Sequence, residues 1–287
     1  LMYEVAENSL SGKKTVSLRL RNGTQEIDSS IFGSSSQIAY LVSEVNTSNV
    51  VFSVIGNNVR ISNASITSTF AVSSGFYPQF VDRVMINSVE TMVVQVANST
   101  QPRQVPLQRV YYCTTFPQMT EIVSTFTTFS HRGKMEFMDG YAFICDEFNN
   151  RIQNSNLNTI STWPAGNFIN KQITLDNALV LAKLRDKLLC FGLETVEVFY
   201  NGGLSPAPLL PIKYMHERIG IPFDVVRTDG NQTHYATVVG GVLYFLGTHA
   251  GGVLGASLTA FDGSRFYKIS PSYIDKIIQE RDFLGSV

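Results

Sequence analysis

Apolar residues along this 287-residue chain come in short runs of aromatic and β-branched side chains, bounded by Gly, Asn, Asp and Ser, and a sustained 3.6-residue spacing is rare. That pattern predicts strands rather than helices. The runs Ile38 to Val45, Met92 to Val96, Tyr141 to Cys145, Leu188 to Phe191 and Val242 to Leu246 read as buried core strands. Each is followed by a turn and a second expected strand: Val50 to Ile55, Val110 to Thr114, Asn156 to Ile160, Thr195 to Tyr200 and Ser257 to Phe261.

The five core runs recur at intervals of about 50 residues, the length of one four-stranded propeller blade with its connections. The expected fold class is therefore all-β and propeller-like, with five or six blades of about 50 residues spanning 1–287. A large β-sandwich with long loops has the same periodicity. Turn chemistry supports the propeller reading: Ile55-Gly56-Asn57-Asn58 and Asp262-Gly263 lie between apolar runs, and Asp139-Gly140 and Gly240-Gly241 open strands at equivalent places.

One short helix is expected near the C-terminus, capped by Ser270, with Pro271 in its first turn, Ile274, Ile277 and Ile278 on one face, and Gly285 beyond it. Segment 201–224 holds Pro206, Pro208, Pro211 and Pro222, which cannot serve a central strand. It is read as a Pro/Gly-rich loop or arm, and its Leu209, Leu210, Ile212, Tyr214 and Met215 are the candidate anchors of a subunit interface. Deleting 206–215 is then expected to leave a folded monomer that fails to assemble.

Composition narrows the function. The chain carries 22 Lys plus Arg against 23 Asp plus Glu, so no net field draws it onto nucleic acid. Its halves differ mildly, with ten basic and eight acidic side chains in 1–135. Cys113, Cys145 and Cys190 lie in apolar runs without CxxC spacing, and are expected to be buried thiols rather than a disulfide framework. No signal peptide is visible, no apolar run reaches the roughly 20 residues of a membrane span, and a soluble protein is expected. Sequons at Asn22, Asn46, Asn63, Asn98 and Asn231 suit a chain rich in Asn, Ser and Thr.

Catalytic patterns are missing. His131, His216, His234 and His249 have no metal-ligand spacing, and the sequence holds no Gly-x-Ser-x-Gly elbow, phosphate loop or dinucleotide fingerprint. Asp146 with Glu147, and Glu194 with Glu197, are the carboxylate pairs a glycosidase could use, and both are read as solvated turn residues. Trp163 is the one tryptophan available to stack on a sugar. No enzyme and no cofactor is expected.

The segment Leu184 to Gly203, with Phe191-Gly192, Thr195-Val196-Glu197 and Asn201-Gly202, resembles part of the packaged-DNA stabilisation proteins of short-tailed bacteriophages. Arg218-Ile219-Gly220-Ile221-Pro222 ahead of Val238 to Gly247, and Phe266 to Glu280, extend the resemblance over about 140–282. It implies a structural virion protein of the tail hub, or nozzle, assembled in the host cytoplasm as a homo-oligomeric ring of about six copies. Such a ring extends the DNA channel below the portal and its adaptor protein, and helps retain packaged DNA and eject the genome. The implied partners are the adaptor, a tail fibre or tailspike, a tail needle or plug, and double-stranded DNA passing without sequence-specific binding. The chain is shorter than such proteins, so blades or a C-terminal part are expected beyond it. The alternative is a carbohydrate-binding or glycan-degrading propeller.

Overall fold

A computed structural model describes residues 2–7, 14–19, 51–55, 58–62, 67–71, 76–98, 108–115, 118–122, 133–146, 149–171, 173, 176–221, 236–248 and 256–280. The expected strand at Ile38 to Val45, the Gly56-Asn57 turn, Gly285 and three of the four histidines lie outside them.

Four antiparallel sheets of four strands follow one another along the chain, each built of consecutive strands. The first comprises β6 (Phe76–Ile86), β7 (Val89–Asn98), β8 (Gln108–Thr115) and β9 (Gln118–Glu121). The second comprises β10 (Glu136–Met138), β11 (Tyr141–Asp146), β12 (Arg151–Asn154) and β13 (Phe168–Asn170). The third holds β14 (Val180–Leu184), β15 (Lys187–Phe191), β16 (Val196–Asn201) and β17 (Leu209–Glu217). The fourth holds β18 (Ala236–Val239), β19 (Val242–Gly247), β20 (Ser257–Phe261) and β21 (Phe266–Lys268). Ahead of them lie a pair, β1 (Met2–Glu7) with β2 (Lys14–Arg19), and a three-stranded sheet of β3 (Val51–Ile55), β4 (Asn58–Ser62) and β5 (Thr67–Ala71).

The repeat is marked by the first hairpin of each four-stranded sheet, a two-residue turn every time: Asn87-Ser88, Asp139-Gly140, Arg185-Asp186 and Gly240-Gly241. Each turn opens on a positive φ, as a hairpin that follows the twist of its strands requires. Asn, Asp and Gly meet this at low cost, and Arg185, at φ +57°, does so under strain.

Strand alternation shows how the sheets pack. On β11, Ala142 and Ile144 face a core shared with Val84, Val93 and Val110 of the preceding sheet, while Phe143 and Cys145 face one shared with Leu181, Leu188 and Cys190 of the next. β15 repeats the arrangement, with Leu188 and Cys190 turned back and Leu189 and Phe191 turned forward to Leu243, Phe245 and Phe261. Both faces of the middle sheets are thus buried between neighbours, which explains why their second strands are continuously apolar. Stacking of four-strand meanders in chain order, with the first strands gathered on one cavity, is propeller-like packing. The expected fold class holds, and a two-layer sandwich does not.

Three expectations change. Asn156 to Ile160 is a turn rather than a strand; the partner of β11 is β12, at Arg151–Asn154, and Asn158 takes a positive φ of 56°. Segment 209–217 is not a loop but β17, the outer strand of its sheet, where Pro211 interrupts no ladder on the open side. Leu209 of β17 is 2% exposed in the core with Phe199, so deletion of 206–215 would remove part of that core instead of sparing the fold. The helix α1 (Ser272–Glu280) forms beside β20 as expected, but Ile274 and Ile278 are only half-buried and Ile277 is exposed. The Ser270 hydroxyl accepts from Leu258 N–H and donates to Asp275 inside the helix, so it ties α1 to the sheet.

Candidate functional site

The predicted interface residues share β17 but not one environment. Leu209 is core, Leu210, Ile212 and Met215 are half-buried, with Ile212 and Met215 against the hydrophobic cluster of the third and fourth sheets, and Tyr214 is 81% exposed. Lys213, His216 and Glu217 are exposed beside Tyr214, and His216 Nδ1 lies 2.9 Å from Lys213 O. Among the described residues β17 is the outer strand of its sheet, and Tyr214 projects from the stretch between Pro211 and His216 where the pairing with β16 is interrupted, an aromatic ring that a partner's groove can cover.

The carboxylates considered for catalysis have structural duties instead. Asp146 is fully buried rather than solvated, because it accepts from Asn149 N–H, Asn149 Nδ2 and Arg151 Nε at 3.2, 2.7 and 3.0 Å. Glu197 is likewise buried, its Oε1 accepting the main-chain N–H of Ile173 at 3.1 Å. Glu194 is exposed, as expected, and Glu147 lies outside the described residues. Trp163 is buried in the core between the first two four-stranded sheets, with Nε1 donating to Ile160 O at 2.7 Å, and has no face for a sugar. Cys113, Cys145 and Cys190 are buried thiols, as expected, and Cys145 Sγ lies 3.8 Å from Cys190 Sγ.

Gly192, Thr195, Gly220 and Ile221 meet at one junction. Gly192 N–H closes the turn onto Thr195 O at 2.8 Å, and Gly192 O accepts Ile221 N–H at 2.9 Å. Gly220 pairs in both directions with Thr248 and passes so close to Leu193 that an added Cβ would sit 1.9 Å from its carbonyl oxygen. Asp176 reaches in from the connection between β13 and β14 to accept the N–H groups of Leu193, Glu194 and Thr195 and the Thr195 hydroxyl. Buried Lys171 spans Asp176 and Thr195. Burial would raise the Asp176 carboxyl, but the Lys171 ammonium, Glu194 N–H and Thr195 hydroxyl outweigh it and hold it below the usual range.

A cavity of about 710 Å³ lies where the first strands β6, β10, β14 and β18 converge. Sequence reading missed it, because its polar residues come from separate strands and turns, Asp82 on β6, Glu136 on β10, Lys183 on β14 and Arg185 in the turn after it, and share no motif. Lys134 binds Asp82 at 2.6 Å, and Lys183 Nζ donates to Phe137 O at 2.6 Å. Arg185 donates to Gly241 O at 3.2 Å, in space that a Cβ on Gly241 would fill. Glu136 stands among these cations, its carboxyl pushed up to about 7 chiefly by burial, with Lys134 and Lys183 opposing that rise and Asp82 adding to it.

No protein-family model and no curated protein matches the sequence. Among solved structures, the chain is similar to a calcium-binding regucalcin of Agrobacterium tumefaciens (12% identity over 83% of this chain and 72% of that one, TM-score 0.42). It is also similar to a prolyl endopeptidase (13% identity, 82% of this chain and 34% of that one, TM-score 0.43). A third likeness is to the β-propeller domain of the Trilobed protease of Pyrococcus furiosus (10% identity, 83% and 85%, TM-score 0.31). The fold assignment rests on strand order and packing. Among the described residues, no group of three or more His, Cys, Asp or Glu could hold a metal ion, and no helix is long and apolar enough to cross a membrane.

Proposed function

We propose that the chain is a structural subunit of a short-tailed phage tail hub, assembling as a ring of about six copies that extends the DNA channel below the portal and its adaptor. The observation that carries this reading is the junction at Gly192, Thr195, Glu197 and Gly220. Residues from two of the stretches that resemble the tail-hub family, 184–203 and 218–222, act together there to fix one sheet against its connections. Three of the candidates for glycan chemistry, Asp146, Glu197 and Trp163, are buried and bonded internally.

A ring of identical subunits needs one surface to meet a different surface of the next copy with a rotation that closes. The β17 edge with Tyr214 is the surface proposed for one side of that contact. Near-neutral charge suits a channel that lets DNA slide, since many phosphate contacts would make passage slow and strongly salt-dependent. The fibre or spike and the needle would attach to outer loops of the same ring.

Negative-stain imaging of the purified protein tests the proposal. Closed rings of about six subunits are expected. Dispersed single propellers that bind immobilised glycans would replace this reading with the carbohydrate-binding one.

A further inference from the structure

None of the residues lining the cavity at the convergence of the first strands belongs to β17, and their mixture of apolar and charged side chains suits a small molecule. We propose that it binds a small organic anion, bearing a carboxylate or phosphate, through Lys183 and Arg185. The inference is independent of the tail-hub reading, because it concerns the axis of one chain rather than the contact between chains.

The first argument is space. A volume of about 710 Å³ falls within the range of small-ligand pockets, and the walls combine apolar side chains such as Phe80, Val238 and Leu243 with a few polar groups. The second is the state of the cations. Lys134 is matched by Asp82, whereas Lys183 Nζ and Arg185 Nη2 donate to carbonyl oxygens, which carry no formal charge. An ammonium has three donors and a guanidinium five, so each can accept a further ligand oxygen.

The third argument is the carboxyl between them. Glu136 faces Asp82 of β6, Lys134 before β10, and Lys183 of β14, while Asp139, Tyr141 and Arg185 also line the cavity. Burial keeps Glu136 largely protonated below about pH 7. In that state the ionised groups are Lys134, Lys183 and Arg185 against Asp82 and Asp139, an excess of one positive charge, and the protonated carboxyl can donate to an anion. Ionisation of Glu136 would cancel the excess and place a competing anion beside Lys183.

Calorimetric titration with inorganic phosphate and with succinate, at about pH 6 and about pH 8, tests this and separates the two anion types. Saturable binding of one of them at the lower pH is expected, weakened about tenfold or more at the higher pH. Lys183→Met should abolish binding, Arg185→Gln should weaken it with the fold intact by circular dichroism, and Glu136→Gln should preserve it at the higher pH. Should Lys183→Met fail to fold, Arg185→Gln and Glu136→Gln decide. The proposal is overturned if neither anion binds, or if binding ignores both Arg185→Gln and pH; the charged residues would then only stitch neighbouring sheets.

Discussion

Asp176 Oδ2 accepts both the main-chain N–H and the hydroxyl of Thr195, each at 2.8 Å, and so pins the link between two sheets to the second hairpin of the next. Lys171, whose side chain is fully buried, donates to the same oxygen at 3.2 Å and to Thr195 Oγ1 at 2.7 Å. Asp176→Ala would leave that ammonium buried without its anion, and should lower stability by about 3–5 kcal/mol. The Asp176 carboxyl is held below its ordinary value in the fold, so its contribution is present above the unfolded value of 3.8 and is lost as pH falls through the lower folded value. Urea denaturation against pH should show an acid-side loss in the native protein that Asp176→Ala lacks.

Glu136 has the opposite sign. Its folded value of about 7 lies above the ordinary 4.5, so the native state binds the proton more tightly and stability falls as pH rises between the two. Glu136→Gln should match the native protein near pH 4 and exceed it above pH 7, by on the order of 2 kcal/mol for this partly buried side chain. Thermal melts at the two pH values check this.

Gly220 has no room for a side chain, with Leu193 O 1.9 Å from the position a Cβ would take. Gly220→Ala should force the crossing of 218–221 away from the 192–195 turn and break the pairing with Thr248, costing several kcal/mol. A large fall in melting temperature is expected, whereas Gly203→Ala, in open space but at φ +69°, should cost only about 1 kcal/mol.

Leu209 and Tyr214 separate fold from assembly on one strand. Leu209→Ala should destabilise by about 2–5 kcal/mol, as a cavity in the core between the second and third four-stranded sheets. Tyr214→Asp should leave the melting temperature of the isolated chain unchanged and abolish self-association in sedimentation velocity.

Much of this architecture was legible because turn chemistry and strand period agree. Met92 to Val96, Tyr141 to Cys145, Leu188 to Phe191 and Val242 to Leu246 all fall in second strands, and Asp139-Gly140 and Gly240-Gly241, read as opening strands, are the hairpin turns that lead into β11 and β19. β17 was missed because a proline forbids only a central ladder, and sequence does not say which strand lies at an edge. Asp146 and Glu197 were misjudged for a related reason: they lie at the end of strand β11 and near the start of β16 rather than in turns, and stacked sheets bury both faces, so each carboxylate becomes an internal tie. The cavity depends on which strands converge, and Asp82, Glu136 and Lys183 are far apart in the chain.

Native mass spectrometry of the purified chain tests the central claim most directly. The account predicts a dominant species of about six chain masses that reverts to one chain mass in Tyr214→Asp. A single-chain species at every concentration, with Tyr214→Asp indistinguishable from the native protein, would contradict it.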